Sequence, residues 1–123
     1  MKFLCLVYND PSLDALQSRA ESHAGIREHL AYDDTLRAGG NFVDASALEP
    51  ANIGKIVRVR DGKIASTDGP FAETKEQLGG FIVIEAKDLA EAVRLAAGIP
   101  SARYGYIEVR PFHDLHAELA RER

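Results

Sequence analysis

The sequence predicts an α+β fold with ferredoxin-like βαββαβ topology and an additional β-hairpin strand. Two short runs, residues 3–8 (FLCLVY) and 81–84 (FIVI), are apolar at every position, which is typical of strands in the middle of a sheet. A helical pattern follows each run, and a hairpin signal lies between them. In this topology the first and third core strands are central, which is where the sequence has its two unbroken apolar runs.

The first helical region is predicted over residues 12–38, after the turn residues Asn9-Asp10-Pro11. Gly25 lies where the apolar stripe of this region changes face, so we expect a kink near residues 22–25. Gly39 and Gly40 are expected to end the helix. The two faces carry Leu13, Leu16 and Ala20 on one side, and Ile26, Leu30 and Leu36 on the other.

The middle of the chain is predicted to form a short strand at residues 41–45 and then a hairpin. Residues 55–60 (KIVRVR) alternate, so Val57 and Val59 are expected on a covered face and the two arginines on a wet face. Asp61-Gly62 provides the tight turn into the second hairpin strand, which begins at Lys63.

The stretch TDGPFAETKEQLGGF, residues 67–81, leads from the hairpin to the second apolar strand. Asp68, Gly69 and Pro70 have turn chemistry, and residues 72–78 are expected to form a short helix. Two interpretations stay open: a covered crossover with a purely structural role, or a pocket rim on which Asp68, Glu73 or Lys75 contacts a ligand.

The last third of the chain predicts a second helix and a closing strand. Asp88 and Glu91 form a capping-box pattern, and Leu89, Ala92, Val93 and Ala96 are expected on the buried helix face. Residues 104–110 are predicted to form the last strand. The domain is expected to span residues 1–112, followed by a polar tail over residues 113–123 that is either a short helix or frayed.

Composition limits the classes of protein. The chain has 123 residues, 46% of them hydrophobic, and a net charge of −4 without a basic block, which argues against direct nucleic-acid binding. The apolar run near the N-terminus is too short to span a bilayer, so no membrane association is expected. Cys5 is the single cysteine and excludes an intramolecular disulfide, which favours a cytoplasmic location.

A second copy of the chain is the expected partner. A ferredoxin-like sheet carries both helices on one face, and central strands that are apolar throughout would expose a large apolar patch on the other. The sequence therefore predicts a homodimer that packs sheet on sheet with twofold symmetry.

The sequence resembles YCII-related proteins of the DGPF type along nearly all of its length. The string DGPFAETKEQLGG, at residues 68–80, resembles their signature, and residues 57–63 (VRVRDGK), 88–92 (DLAEA) and 100–111 (PSARYGYIEVRP) are also similar. The resemblance implies a dimeric α+β barrel. It also implies a superfamily that includes metal-free lyases, isomerases and monooxygenases, and an association of DGPF-type proteins with extracytoplasmic-function sigma factors.

His29 is the leading candidate for chemistry. It lies on the helical stripe one turn before Asp33, and a His and an Asp four residues apart on a helix can meet. Residues 27–32 (REHLAY) also resemble the helix of other YCII proteins whose histidine pairs with an aspartate after the first strand, which by position is Asp10 here. Such a pair suits general acid–base catalysis, whereas a purely structural pair is the alternative.

The expected substrate-binding residues are Tyr8, Asp68, Phe71 and Arg110. Arg110 has the alternative of pairing with Glu108 across strands. His113 and His116 have no third ligand nearby in the sequence, so no metal site is expected, and no motif indicates a cofactor.

Two functions remain open at this stage. One is a small-molecule-binding protein, for an anionic or carbonyl-bearing metabolite, that performs His/Asp acid–base chemistry of the lyase or isomerase type. The other is a non-catalytic regulatory module that binds a sigma factor and has no formed pocket.

Overall fold

The computed structural model describes residues 1–69 and 75–122. Proline at position 11 starts the first helix and glycines at positions 39 and 98 end the next two, so local capping chemistry sets many of the boundaries. The described elements are strands β1 (Lys2–Asn9), β2 (Phe42–Ala47), β3 (Lys55–Arg60), β4 (Lys63–Asp68), β5 (Gln77–Glu85) and β6 (Tyr106–Pro111), helices α1 (Pro11–Asp14), α2 (Arg19–Ala38), α3 (Leu89–Ala97) and α4 (Leu115–Ala120), and short 3₁₀ helices at Ala51–Ile53 and Pro100–Arg103.

Four strands form an antiparallel sheet in the order β2-β5-β1-β6, and β3 and β4 form a separate two-stranded sheet. The two apolar runs, in β1 and β5, are the central strands. This order is the ferredoxin-like one, so the predicted α+β fold with its additional hairpin is confirmed.

Alternate side chains of the central strands lie on opposite faces of the sheet. Phe3, Cys5 and Val7 are buried beneath the helices, together with Ile82 and Ile84 of β5. Helix α2 covers them with Leu36, and helix α3 with Ala92 and Ala96. The opposite face of β1 and β5 carries Leu4, Leu6, Phe81 and Val83, which are only half-buried.

The expected kink at residues 22–25 is wrong, because α2 runs without a break from Arg19 to Ala38. The break lies before it, where Ser18 caps the helix: its Oγ accepts a bond from the Glu21 amide, and the Glu21 carboxylate accepts one from the Ser18 amide. The capping box therefore sets the start of the helix.

The expected apolar face of α2 is also partly wrong. Ile26 and Leu30 are exposed, and the inward positions are Gly25, His29, Tyr32 and Leu36. Tyr32 explains the rotation: its hydroxyl donates a 2.5 Å hydrogen bond to the Leu95 carbonyl of α3, which fixes this side of the helix against the core.

Helix α3 begins at its predicted cap, because the Asp88 carboxylate accepts a hydrogen bond from the Glu91 amide. Leu89 and Val93 are exposed, contrary to expectation, and the residues of α3 that pack on the core are Ala92, Ala96 and the half-buried Leu95. A short helix was expected at residues 72–78, but Gln77 and Leu78 belong to strand β5. Residues 72–74 lie outside the described residues.

Strands β3 and β4 form a hairpin, called the arm below (residues 55–68). Its turn residues Asp61 and Gly62 both have positive φ, as a tight two-residue turn requires. The face of β3 expected to be covered is not covered within the single chain: Val57 and Val59 are 64% and 57% exposed, since among the described residues the arm pairs with no strand of the main sheet.

The tail forms the short helix α4, which was one of the two expected outcomes. Within the described parts of the chain, none of the helices has the length and apolar character needed to cross a membrane.

Candidate functional site

The end of β1 carries a buried carboxylate. Asp10 caps α1, and its Oδ1 accepts hydrogen bonds from the amide of Ser12 at 2.9 Å and from its hydroxyl at 2.6 Å. The residue is only 7% exposed. These hydrogen bonds, chiefly the one from the hydroxyl, hold the pKa of Asp10 below its usual value, so the group is ionised at neutral pH.

The second oxygen of this carboxylate can accept a further hydrogen bond. Oδ2 of Asp10 is buried, and residues 1–69 and 75–122 supply no hydrogen-bond donor to it. The ammonium of Lys75 lies 4.0 Å away, too far for a hydrogen bond. Asp10, Leu13, Lys75, Glu76 and Tyr104 line a small cavity of about 110 Å³.

A larger cavity of about 570 Å³ is lined in part by Asn9, Pro11 and Asp14 of the same chain segment. It is formed by the end of β1, the β2–β3 connection, the base of the arm and the start of β5. Its size is within the range of pockets that hold metabolites. Its polar lining comprises the carboxylates of Asp14, Glu49 and Asp68 and the amides of Asn9, Asn52 and Gln77.

His29 is half-buried on the inner side of α2. Its Nε2 lies 2.9 Å from the Oγ of Ser101, and the direction of this hydrogen bond depends on the imidazole tautomer. Burial lowers the pKa of His29, and the nearby carboxylates of Asp33 and Glu28 only partly oppose this effect. The imidazole is therefore neutral at neutral pH.

The segment from Pro100 to Gly105 connects the surroundings of His29 and Asp10. Ser101 is itself buried and bonds His29, while its carbonyl accepts the amides of Tyr104 and Gly105. Tyr104 lines the small cavity beside Asp10. A single 3₁₀ helix thus places one side chain against the imidazole and another beside the carboxylate.

The structure does not join His29 to either expected carboxylate by a hydrogen bond, within the part of the chain that it describes. Asp33 is half-buried and acts on His29 through its charge; burial raises the pKa of Asp33. On the other side of His29, the Glu28 carboxylate accepts a hydrogen bond from the Arg103 guanidinium, which also ties α2 to the same 3₁₀ helix.

The other predicted binding residues are dispersed. Asp68 lies at the base of the arm, lines the larger cavity and accepts a 2.6 Å hydrogen bond from Lys55. Tyr8 lies on the uncovered sheet face, stacked on Tyr106 with ring centroids 4.6 Å apart. Arg110 is on that same face, 4.0 Å from Glu108, and Phe71 lies outside the described residues.

Cys5 and His113 lie away from this corner. Cys5 is fully buried, and burial raises the pKa of its thiol to about 11, which makes it a packing residue. Near the tail, His113 forms a hydrogen bond with Glu118.

Sequence reasoning missed Ser101 and Tyr104. Both follow Pro100 in a segment interpreted only as the approach to the last strand. The local signal was available, because a proline followed by Ser-Ala-Arg is compatible with a short helical turn. What the sequence lacked was the distance in space to residues about 70 to 95 positions earlier.

The sheet order and the placement of the helices define a small ferredoxin-like α+β domain. The chain belongs to the YCII-related domain family, whose model matches residues 1–116. This confirms the family resemblance.

Two similar proteins are informative. An uncharacterised protein of Rhizobium meliloti (strain 1021) is 34% identical over 113 residues, covering 90% of this chain and 91% of that protein. Among solved structures, 5-chloro-2-hydroxyhydroquinone dehydrochlorinase from Burkholderia phenoliruptrix AC1100, in complex with 2,5-dihydroxybenzoquinone, superposes with a TM-score of 0.52. It covers 94% of this chain and 98% of its own, at 21% identity, so the likeness concerns the fold.

Proposed function

We propose that this protein binds a small carbonyl- and hydroxyl-bearing metabolite at the Asp10 corner and performs acid–base chemistry of the lyase or isomerase type on it. The observation that carries the proposal is the Oδ2 atom of Asp10. It is a buried, ionised oxygen at a cavity wall, without a hydrogen-bond donor among the described residues.

A buried carboxylate oxygen without a donor is costly, because its hydration has been lost and no hydrogen bond from the described residues replaces it. A ligand hydroxyl that enters the small cavity would donate the missing hydrogen bond. The small cavity itself is large enough for one polar group and not for a whole metabolite, so the body of the ligand extends beyond it.

His29 supplies the second half of the proposed chemistry. A neutral imidazole is a proton acceptor at neutral pH, and an ionised carboxylate orients and stabilises the charge that develops. Both groups are unprotonated at neutral pH, because burial lowers the pKa of His29 and the hydrogen bonds from Ser12 lower the pKa of Asp10. The dehydrochlorinase with a similar fold, which was solved with 2,5-dihydroxybenzoquinone bound, supports a compact hydroxylated ring as a first probe.

The experiment uses 2,5-dihydroxybenzoquinone in heavy water. Each ring hydrogen lies on a carbon between an enol C–OH and a carbonyl group, so its exchange requires transfer of a deuteron to that carbon followed by abstraction of the proton. The exchange therefore reports acid–base catalysis at carbon, and NMR also reports binding. Wild-type protein is expected to bind the probe and accelerate the exchange. Asp10→Asn and His29→Gln are expected to reduce this acceleration by about 100-fold, the usual effect of losing an acid–base group.

Asp34→Asn is the matched control, because Asp34 is an exposed carboxylate on α2 that pairs with Arg37. Exchange in this variant should equal that of the wild type. Bound probe without accelerated exchange would refute the catalytic part of the proposal, and full exchange activity in Asp10→Asn would refute the role of this carboxylate.

The proposed assembly is a homodimer formed by the uncovered sheet faces. Leu4, Leu6, Phe81 and Val83 form a continuous apolar patch at the centre of this face, as the register of β1 and β5 shows. A patch of this kind on a small protein supports association. We also propose a cytoplasmic location, on the argument from the single buried cysteine.

The sigma-factor alternative predicts a protein without a formed pocket. Residues of the segment around Asp10 line both cavities, which favours the small-molecule proposal. Native co-purification with a sigma factor at equal stoichiometry would reverse this preference.

A further inference from the structure

The arm has almost no support from its own chain. Of its side chains only Ile56 is half-buried, and the rest are exposed. The ion pair between Lys55 and Asp68 joins the two strands of the arm to each other and not to the body of the chain. The hydrogen bond from the Gly69 amide to the Gly54 carbonyl closes the base of the arm. An isolated two-stranded hairpin is marginally stable in water, so an arm of this kind needs a surface to lie on.

One face of the arm is apolar. Val57, Val59 and Ile64 lie on the same side, because Val59 pairs directly with Ile64 and Val57 is two residues away along β3. Ile64 is 78% exposed, the most exposed of the three. Three β-branched apolar side chains in one exposed row form a contact surface rather than a solvent face.

The charge of the arm indicates its partner. The arm carries four basic and two acidic residues, a net charge of +2, whereas the chain as a whole carries −4, so the remainder carries −6. Arg58, Arg60 and Lys63 lie on the face opposite Val57, Val59 and Ile64, and Lys55 pairs with Asp68, so the basic groups border the apolar row without belonging to it. The opposite net charges of the arm and of the remainder of a second copy attract at long range and guide association.

The exposed area of the chain agrees with such a partner. A compact monomer of 13.4 kDa exposes about 6,500 Å², whereas this chain exposes 9167 Å². The excess is more than the roughly 800 Å² that each partner buries in an interface of standard size. One uncovered sheet face and one exposed arm together provide enough surface for two contact regions.

We propose that the arm docks through Val57, Val59 and Ile64 onto the acidic body of a second copy of the chain. This inference rests on the proposed homodimer and adds a second contact to its sheet-to-sheet interface. The arm ends at Asp68 on the larger cavity, so docking of its outer part also fixes one wall of that cavity.

The test is a triple variant, Val57→Thr/Val59→Thr/Ile64→Thr, which removes apolar contact and keeps β-branched residues that favour the hairpin. Dimer dissociation constants are measured by sedimentation across nanomolar to micromolar concentrations. We expect the triple variant to dissociate at least about tenfold more readily. The matched control, Thr67→Ser, changes the opposite face of the arm and should dissociate like the wild type.

A second measurement identifies the chain that the arm contacts. Light and heavy-isotope protein are mixed, dissociated, reassociated and treated with a carbodiimide that joins amines to nearby carboxylates. Cross-links from Lys63 to carboxylates outside the arm should include light–heavy pairs. Same-isotope pairs alone, or a triple variant that dimerises like the wild type, would overturn the arm contact and leave the sheet-to-sheet dimer intact. A monomeric wild type would overturn both.

Discussion

At the scale of single residues, the buried side chains of Ser101 and Asp10 differ in how fully their hydrogen-bonding groups are paired. Ser101 shares its hydroxyl with His29 and its carbonyl with two amides, so it is a structural group. Asp10 has one oxygen with two donors and one oxygen with none among the described residues. Since buried polar atoms are nearly always paired in folded proteins, the unpaired oxygen is the atom that points to a ligand.

His29 should make the stability of the protein depend on pH. Its pKa in the folded state is below the value of about 6.5 expected in the unfolded chain, so the unfolded chain binds the proton more readily. This contribution is fully present above about pH 6.5 and is lost as the pH falls towards the folded pKa. The free energy of unfolding in urea, measured between about pH 8 and about pH 5, should show this loss.

His29→Gln should remove that part of the pH dependence. His23→Gln, at an exposed position of the same helix, is the control and should keep the pH profile of the wild type. A His29→Gln profile parallel to that of the wild type would contradict the assigned cause.

At the scale of elements, the sequence predicted the sheet better than the helix faces. Unbroken apolar runs occur where a strand is covered or paired on every side, so β1 and β5 could be assigned as central. The inward face of α2 could not be assigned in this way. Ile26 and Leu30 suggest one inward face, whereas the hydrogen bond from Tyr32 to the Leu95 carbonyl selects another. A contact between residues far apart in sequence overrides local periodicity, and the same is true of Ser101 beside His29.

Two glycines should respond in opposite ways to replacement by alanine. At Gly105 a Cβ would lie 1.9 Å from the Tyr8 carbonyl oxygen, so Gly105→Ala must separate β6 from β1 and should cost about 2 kcal/mol or more. At Gly25, inside α2, a Cβ meets no atom within 4 Å, so Gly25→Ala should add about 1 kcal/mol through helix propensity. Urea unfolding measures both, and equal effects at the two positions would contradict this account.

The start of α2 offers a separate test. Ser18→Ala removes the side-chain acceptor of the Glu21 amide, keeps the backbone half of the capping box, and should lower the free energy of unfolding by about 1 kcal/mol. Ser18→Asp keeps an acceptor for the Glu21 amide and should retain most of the stability. If alanine and aspartate behave alike, the start of the helix is fixed by packing instead.

At the scale of the whole molecule, surface area is the main property to explain. The helices cover one face of the sheet, and the other face leaves four apolar side chains half-buried. These side chains lie in the centre of the sheet, flanked by the stacked pair Tyr8 and Tyr106 and by the ion pair of Glu108 and Arg110. An apolar centre with a polar rim is the usual anatomy of a protein interface.

Leu6→Lys should therefore convert the proposed dimer into monomers. The twofold axis places a new positive charge on both sides of the interface, where the two lysines repel each other. Within each chain Glu108 pairs with position 6, so its carboxylate can stabilise the lysine in the monomer. Sedimentation at micromolar concentration should show the smaller species with an unchanged circular dichroism spectrum. Leu16→Lys, at a position 81% exposed, is the control and should leave the assembly unaltered.

The turn from Pro100 to Gly105 also has a consequence for synthesis on the ribosome. Asp10 and Tyr104 meet at one cavity although about 95 residues separate them along the chain. A nascent chain can therefore expose a complete first strand and first helices and still lack one wall of the corner. The cavity wall that Tyr104 supplies can form only after β6 has paired with β1, which is late in synthesis.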